Sequence, residues 1–186
     1  MPKLIQELED SCFEAGWRSI DSPMDNRFDE DAQDKSQRCA ESVFRSLLGK
    51  CLFLVKVRPD ISVSIARLAK RSHKCTDKDM QALLRVVRYV LSTREEGLTF
   101  TPAASDQLEQ AMKLFAYADA AFCVYQDQKS HGGYCIKLGV HDTCMFLSRS
   151  HSHKINTTSS TESEVVEQCE VIKEIIYLRD FCRVWE

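Results

Sequence analysis

Residues 114–136 read LFAYADAAFCVYQDQKSHGGYCI, and Thr157 later opens the run TTSSTESEVV. Together these segments put one carboxylate, Asp119, in the middle of an apolar strand. They put a second, Glu164, in the first turn of a helix. Aspartate is disfavoured inside strands, so a chain that keeps one there turns that stretch toward water, a polar site or a metal. Two plainer readings stand beside this one. Asp119 can be an edge-strand residue that discourages pairing with another sheet, and Thr161-x-x-Glu164 has the form of a capping box.

Hydrophobic periodicity supplies the frame around these two residues. From Ser42, the residues Val43, Leu47, Leu48, Cys51, Leu54 and Val55 recur at helical spacing. Arg58-Pro59 ends that helix, because the residue before proline avoids helical geometry. Asp60 is placed to cap the next helix, which carries Ile61, Ile65, Leu68 and Ala69. A third begins at Thr76-Asp-Lys-Asp79 with a capping-box pattern, and its stripe is Met80, Leu83, Leu84, Val87, Val90 and Leu91. Residues 97–100 then read as a short strand, followed by a polar loop through Glu109. Residues 113–124, 132–138 and 143–148 read as three strands in close succession, with a turn at 139–142, which favours an antiparallel meander. A polar stretch, 149–158, leads into a long final helix. On that helix Val165, Cys169, Ile172 and Ile176 form the expected core stripe, and Glu167, Glu170 and Glu174 are expected to face water. Glu164 falls at the border of the two faces.

Charge is distributed unevenly along the chain. Residues 1–35 carry 4 basic and 10 acidic side chains, residues 36–100 carry 13 and 6, and residues 101–186 carry 8 and 12. The acidic, turn-rich first segment reads as a linker or loosely attached arm, with a short helix or strand at 4–15. The basic middle reads either as a phosphate-facing surface or as the solvent faces of helices. Nine cysteines, with no CxxC pair, argue against a zinc ribbon and for reduced thiols in the cytoplasm or nucleus. Cys123, Cys135, Cys144 and Cys169 lie in apolar patterns and read as small buried hydrophobes. The apolar runs are too short to cross a membrane, and the N-terminus lacks a signal-peptide pattern. His131, His141, His151 and His153, with Cys135 and Cys144, match no familiar zinc spacing and read as solvated loop residues.

Three blocks of the chain resemble copia-type retrotransposon polyproteins. Tyr117-Ala-Asp119-Ala-Ala-Phe122 is similar to that family's Tyr-Ser-Asp-Ala-Asp-Trp strand. Ser130-His-Gly-Gly-Tyr134 is similar to its Ser-Thr-Ser-Gly-Tyr strand, and Ser159-Ser-Thr-Glu-Ser-Glu164-Val165 to its Ser-Ser-Thr-Glu-Ala-Glu-Tyr helix start. Upstream, Phe44-Arg-Ser-Leu-Leu-Gly-Lys and Arg58-Pro-Asp-Ile-Ser62 resemble the segment that joins the polymerase to the ribonuclease H domain. The resemblance covers residues 20–186. It implies an α+β chain in three parts: an acidic arm at 1–35, a helical thumb or connection region at 36–100, and a partial ribonuclease H-like domain at 112–186. That last part would hold a truncated three-stranded antiparallel sheet and one long helix.

By the same resemblance Asp119 and Glu164 are metal ligands and catalytic residues for Mg²⁺-dependent hydrolysis of RNA in RNA–DNA hybrids. Glu164 is preferred to Glu162 because the apolar pair Val165-Val166 follows it in the family's register. Arg149 and Lys154, in the basic stretch before the helix, are candidate phosphate contacts, with a solvated loop as the alternative. The family's second strand aspartate is Ala121 here and its tryptophan is Phe122. Its later carboxylates lie beyond the final helix, and Asp180 is several turns from Glu164. The expectation is therefore a nuclease segment inactive by itself, with no polymerase site and an open sheet edge prone to association. The partners implied are an RNA–DNA hybrid or other nucleic acid and the remaining polyprotein segments. The rival readings are a non-catalytic nucleic-acid-binding module and a nuclease completed by another chain.

Overall fold

The computed structural model describes residues 2–12, 17–25, 37–100, 113–139 and 145–183, the side chains of 182–183 excepted. His141, Cys144, the turn at 140–142, the polar loop at 101–109 and most of the acidic run after Asp25 lie outside the described residues. The chain is α+β and divides into two units, Met1–Gly97 and Leu98–Glu186. Among the described residues, no helix is long and apolar enough to cross a membrane.

The first unit is helical: α1 (Pro2–Cys12), α2 (Glu41–Leu54), a 3-10 turn (Pro59–Ile61), α3 (Ser62–Lys70) and α4 (Asp77–Ser92). Residues 97–100, read as a strand from sequence, form none. The α4 start follows its local chemistry. Asp79 N–H donates to Thr76 Oγ1 at 3.4 Å and Thr76 N–H donates to Asp79 Oδ2 at 2.9 Å, so two donors at the helix end are satisfied. The core joins Phe44, Leu47, Leu48, Cys51 and Leu54 of α2 to Ile61, Ile65 and Leu68, and to Leu83, Val86, Val87 and Val90 of α4. Phe44 takes the inward position expected of Val43, which is exposed.

The N-terminal segment departs from the expected loose arm. Leu8 of α1 is fully buried in this core, and Trp17 and Ile20 pack against it. Its acidic side chains serve the unit too: Glu9 pairs with Arg94 at 3.0 Å and Glu7 with Lys50 at 3.6 Å. The short helix or strand expected at 4–15 is the helix α1, and what the charged composition hid is that its apolar side is buried.

Arg58 is buried and fully engaged. It donates to both Asp60 carboxylate oxygens (3.0 and 2.7 Å), to the Thr93 carbonyl (2.8 Å) and to Thr93 Oγ1 (2.7 Å). Asp60 is thus the partner of a buried guanidinium, and no side chain caps α3. The bidentate geometry compensates the cost of taking the cation out of water, and it pins the α2–α3 corner to the end of α4.

The second unit holds β1 (Leu114–Ala121), β2 (His131–Leu138) and β3 (Met145–Ser152) in the order β1-β2-β3, all antiparallel, followed by α5 (Ser160–Arg183). β3 runs four residues beyond the expected end, so Arg149 and His151 are strand residues. The register pairs Ala118 with Tyr134, Asp119 with Gly133, and Gly132 with His151. Among the described residues, β1 and β3 each pair only with β2, leaving two outer edges.

α5 packs on the sheet face that carries Ala116, Ala118, Tyr134, Ile136 and Leu147, using Val171, Ile175 and Leu178. This reverses the expected orientation. Val165, Ile172 and Ile176 are about half exposed, Cys169 is exposed, and Glu167 is fully buried. The helix has apolar residues on both sides, so periodicity alone cannot choose the inner one. Cys123 is exposed as well, and Cys135 only partly covered, contrary to their expected burial.

Two outcomes test the first unit. Leu8→Ala should cost about 2–4 kcal/mol by urea unfolding, as for other buried leucines; a loss under 0.5 kcal/mol would restore the loose arm. Burial pushes the Asp60 carboxyl up, but the Arg58 hydrogen bonds, the Tyr89 hydroxyl and the Arg58 charge together outweigh it and hold the pKa below its ordinary 3.8. A depressed folded value gives stability that is present above the unfolded pKa and lost as pH falls through the folded one. Asp60→Asn should therefore flatten the loss of stability below pH 3.8 while lowering stability at pH 7. Parallel acid limbs for the two proteins would remove Asp60 from that role.

Candidate functional site

Strand pleat decides what each residue of the sheet can reach. Alternate side chains point to opposite faces. With Ala116, Ala118, Tyr134 and Ile136 under α5, the intervening positions Tyr117, Asp119, His131 and Gly133 lie on the other face. Asp119 is exposed there, in the middle of β1, opposite Gly133. His131 is on that face too, its ring between Tyr125 Oη (2.5 Å) and Ser150 Oγ (2.7 Å).

Glu164 lies exposed at the start of the second turn of α5, one turn later than expected from the sequence, and it is not a capping residue. Ser159 Oγ accepts from Glu162 N–H at 3.1 Å, and Glu162 Oε2 accepts from Thr158 N–H and Thr158 Oγ1 at 2.6 and 2.7 Å. Those bonds hold the Glu162 carboxyl below its usual pKa. The capping box therefore sits two residues earlier than Thr161-x-x-Glu164, and it leaves the Glu164 carboxylate uncommitted to the helix end.

A buried cluster of hydroxyls fixes that first turn against the sheet. Ser130 Oγ lies 2.9 Å from Thr157 Oγ1 and 2.8 Å from Ser163 Oγ, and the last two are 2.6 Å apart. Ser130 Oγ also accepts from Cys123 N–H at 3.2 Å, just past β1, and Ser163 Oγ donates to the Ser159 carbonyl at 3.1 Å. One network thus ties the end of the Asp119 strand, the start of β2, the loop before α5 and the residue preceding Glu164. Each hydroxyl is satisfied, which is what makes such a cluster tolerable inside a protein.

The two basic candidates differ in setting. Arg149 is on β3, 3.7 Å from Glu174 of α5, and the Tyr134 hydroxyl donates to the same Glu174 carboxylate at 3.2 Å. The Tyr134 contact and the Glu174 charge hold the Arg149 pKa up. Lys154 is exposed in the loop before the helix. In the first unit, Arg45, Lys50, Arg58, Arg71 and Arg94 all pair with carboxylates of that unit, so part of its positive charge is already balanced.

The histidines show the largest departure from expectation. His151 on β3 and His153, just past its end, lie on the α5 side of the sheet and meet Glu167, which approaches from the helix. His153 Nε2 lies 3.0 Å from Glu167 Oε2, and His151 Nε2 lies 3.6 Å from it. His153 and Glu167 are buried, where solvated loop histidines and a water-facing glutamate were expected. Burial lowers the His151 pKa, while the Glu167 charge raises it. His131 and Cys135, on the other face, take no part. A hint was present in sequence: His-x-His on a strand puts both rings on one face.

Comparison with known proteins follows this geometry. The chain is 32% identical over 122 residues to the retrovirus-related Pol polyprotein from transposon RE1 of Arabidopsis thaliana, covering 65% of the chain and 8% of that protein. It is 31% identical over 137 residues to secreted RxLR effector protein 161 of Plasmopara viticola, covering 73% of the chain and 90% of the relative. An uncharacterized mitochondrial protein of Arabidopsis thaliana is 33% identical over 124 residues, or 66% of the chain and 48% of that protein. The chain therefore spans less than a tenth of the transposon polyprotein that it matches. No family model matches it, and no solved structure does. Sequence identity across most of the chain and the three motif blocks in order lead to one conclusion: the chain belongs to the copia-type retrotransposon Pol polyproteins.

Proposed function

We propose that residues 36–100 come from the thumb or connection region of the polymerase and residues 112–186 from the first half of a ribonuclease H domain. The parent activity is then Mg²⁺-dependent hydrolysis of the RNA strand in an RNA–DNA hybrid. The observation that carries this reading is the placement of Asp119: an exposed carboxylate in the middle of the first strand of an antiparallel meander. That meander leads directly to a helix that exposes Glu164 near its start. Free carboxylates in this strand-then-helix order, with a buried hydroxyl network setting the helix start, are what the motif resemblance requires.

The donor chemistry fits Mg²⁺ in kind, since both residues offer carboxylate oxygen. It does not fit in number. Among the described residues, no group of three metal-binding side chains includes Asp119 or Glu164, so these two alone cannot retain a metal pair. When bound, such ions activate water and stabilise the leaving oxygen. In this reading Asp119 and Glu164 supply two of the ligands, Ser130, Thr157 and Ser163 position the helix that carries Glu164, and Arg149 and Lys154 contact phosphate. The other ligands come from further segments of the polyprotein. The half-exposed apolar side of α5, with Val165, Ile172 and Ile176, supports a further segment packing there.

A labelled RNA–DNA hybrid with Mg²⁺ or Mn²⁺ tests this reading. The 186-residue chain should give no cleavage above that of Asp119→Asn. Adding the polyprotein segment that follows the final helix should bring cleavage on, and Asp119→Asn should then lower it by at least ~100-fold, as loss of a metal ligand does. Cleavage by the completed protein that survives Asp119→Asn would sink the assignment. Salt-sensitive hybrid binding with no cleavage under any completion would favour a binding module instead.

A further inference from the structure

We propose that His151, His153 and Glu167 form a binding site for a divalent transition-metal ion, Zn²⁺ by its chemistry, which clips α5 to β3. The site lies on the α5 side of the sheet, opposite the face that carries Asp119. Its ligand atoms all lie within 4.8 Å of one another. The two distances measured to Glu167 Oε2, 3.0 and 3.6 Å, straddle the ligand–ligand spacing of about 3.3 Å that follows from zinc bonds of about 2.0–2.1 Å in tetrahedral geometry. Two imidazoles and one carboxylate form a mixed nitrogen and oxygen set that suits zinc and its neighbours. Mg²⁺ prefers oxygen throughout. Three protein ligands leave the fourth position to water or to an incoming group.

Three independent observations support a ligand in this place. The first is unsatisfied chemistry. Glu167 is fully buried, yet its Oε1 has no hydrogen-bond partner, and the Nδ1 atoms of His151 and His153 are likewise buried and unpartnered. A buried carboxylate facing two imidazoles with one hydrogen bond among them is an expensive arrangement, and a dication at its centre would compensate it. The second is the backbone beneath. A Cβ at Gly132 would fall 1.7 Å from Glu167 Oε2 and 2.5 Å from His153 Nε2. The glycine therefore lets the carboxylate and the ring come down onto the central strand. The third is the source of the ligands: His151 on β3 and His153, the residue just past its end, whose N–H bonds the Ser130 carbonyl at 2.9 Å, have the i, i+2 spacing that puts both on one face, while the glutamate comes from the second turn of α5.

The test uses the whole chain, stripped of metal by chelator, reduced, and titrated with Zn²⁺ alone and separately with Co²⁺. One equivalent should bind with a dissociation constant below about 1 µM, and an excess of Zn²⁺ should raise the melting temperature on the order of 10 °C. Glu167→Gln keeps the shape of the side chain and removes its charge; it should weaken binding at least tenfold and abolish the shift. Co²⁺ on the unaltered chain gives a readout that needs no variant to fold. Visible absorption with the intensity of a four-coordinate ion, and without a thiolate charge-transfer band, is the expected spectrum. A thiolate band would assign the metal to cysteines such as Cys39 and Cys75, whose Sγ atoms lie 2.7 Å apart, and would overturn the proposal. Binding unchanged in Glu167→Gln, or no binding by the folded chain, would overturn it equally.

Discussion

The orientation of the last helix depends on a polar layer buried beneath its first two turns. α5 has apolar residues on two sides: Val171, Ile175 and Leu178 toward the sheet, Val165, Ile172 and Ile176 toward water. Hydrophobic attraction is non-directional, and it would be served almost as well with the helix rolled about a third of a turn. Hydrogen bonds would not. Ser163 meets Ser130 and Thr157 in only one rotation, and Glu167 reaches His153 and the open backbone of Gly132 in that same rotation. A buried polar group left without its partner costs several times what a satisfied one contributes. The layer thus selects the rotation, and with it the exposure of Glu164.

That layer also explains which features could be read from sequence. The helices of the first unit were legible because one apolar stripe dominates each and the Thr76–Asp79 box marks a start. The meander and the position of Asp119 were legible from three short apolar runs close together. The inner face of α5 was not, since Val165, Ile172 and Ile176 form an apolar stripe equal in size to Val171, Ile175 and Leu178. A glutamate between apolar residues reads as solvent-facing unless its partners are known, and those partners, His151 and His153, come from another element. Pairwise compensation across elements leaves no periodic trace. Arg58 was hidden for the same reason: an Arg-Pro-Asp sequence looks like a helix break followed by a cap, and only the fold brings Thr93 to the guanidinium.

The pleat of the sheet separates two kinds of chemistry. On the outer face, Asp119 offers hard carboxylate oxygen to solvent. On the inner face, His153 and Glu167 are buried and His151 is partly covered, a set rich in nitrogen beneath a helix. An ion bound there would exchange slowly and would shape the protein. Neither face can substitute for the other, because moving a residue across the sheet requires a one-residue slip that would turn every neighbour outward.

A three-stranded sheet under one helix buries little. Among the described residues, the buried apolar cluster of the second unit is Tyr134, Ile136 and Val171, whereas that of the helical unit has more than a dozen members. Small layers of this kind need reinforcement beyond their cores. The hydroxyl cluster reinforces one corner, where α5 begins. The histidine–glutamate site lies one turn further along, between the edge strand β3 and the helix, where apolar contact is thin and Gly132 removes a side chain altogether. A metal clip at that position would hold the edge strand and the helix together while the outer side of α5 stays free to receive another segment of the polyprotein. On this account the second unit keeps its shape through polar and metal bonds at one end and apolar packing at the other, and the carboxylate of Glu164 is presented from the polar end.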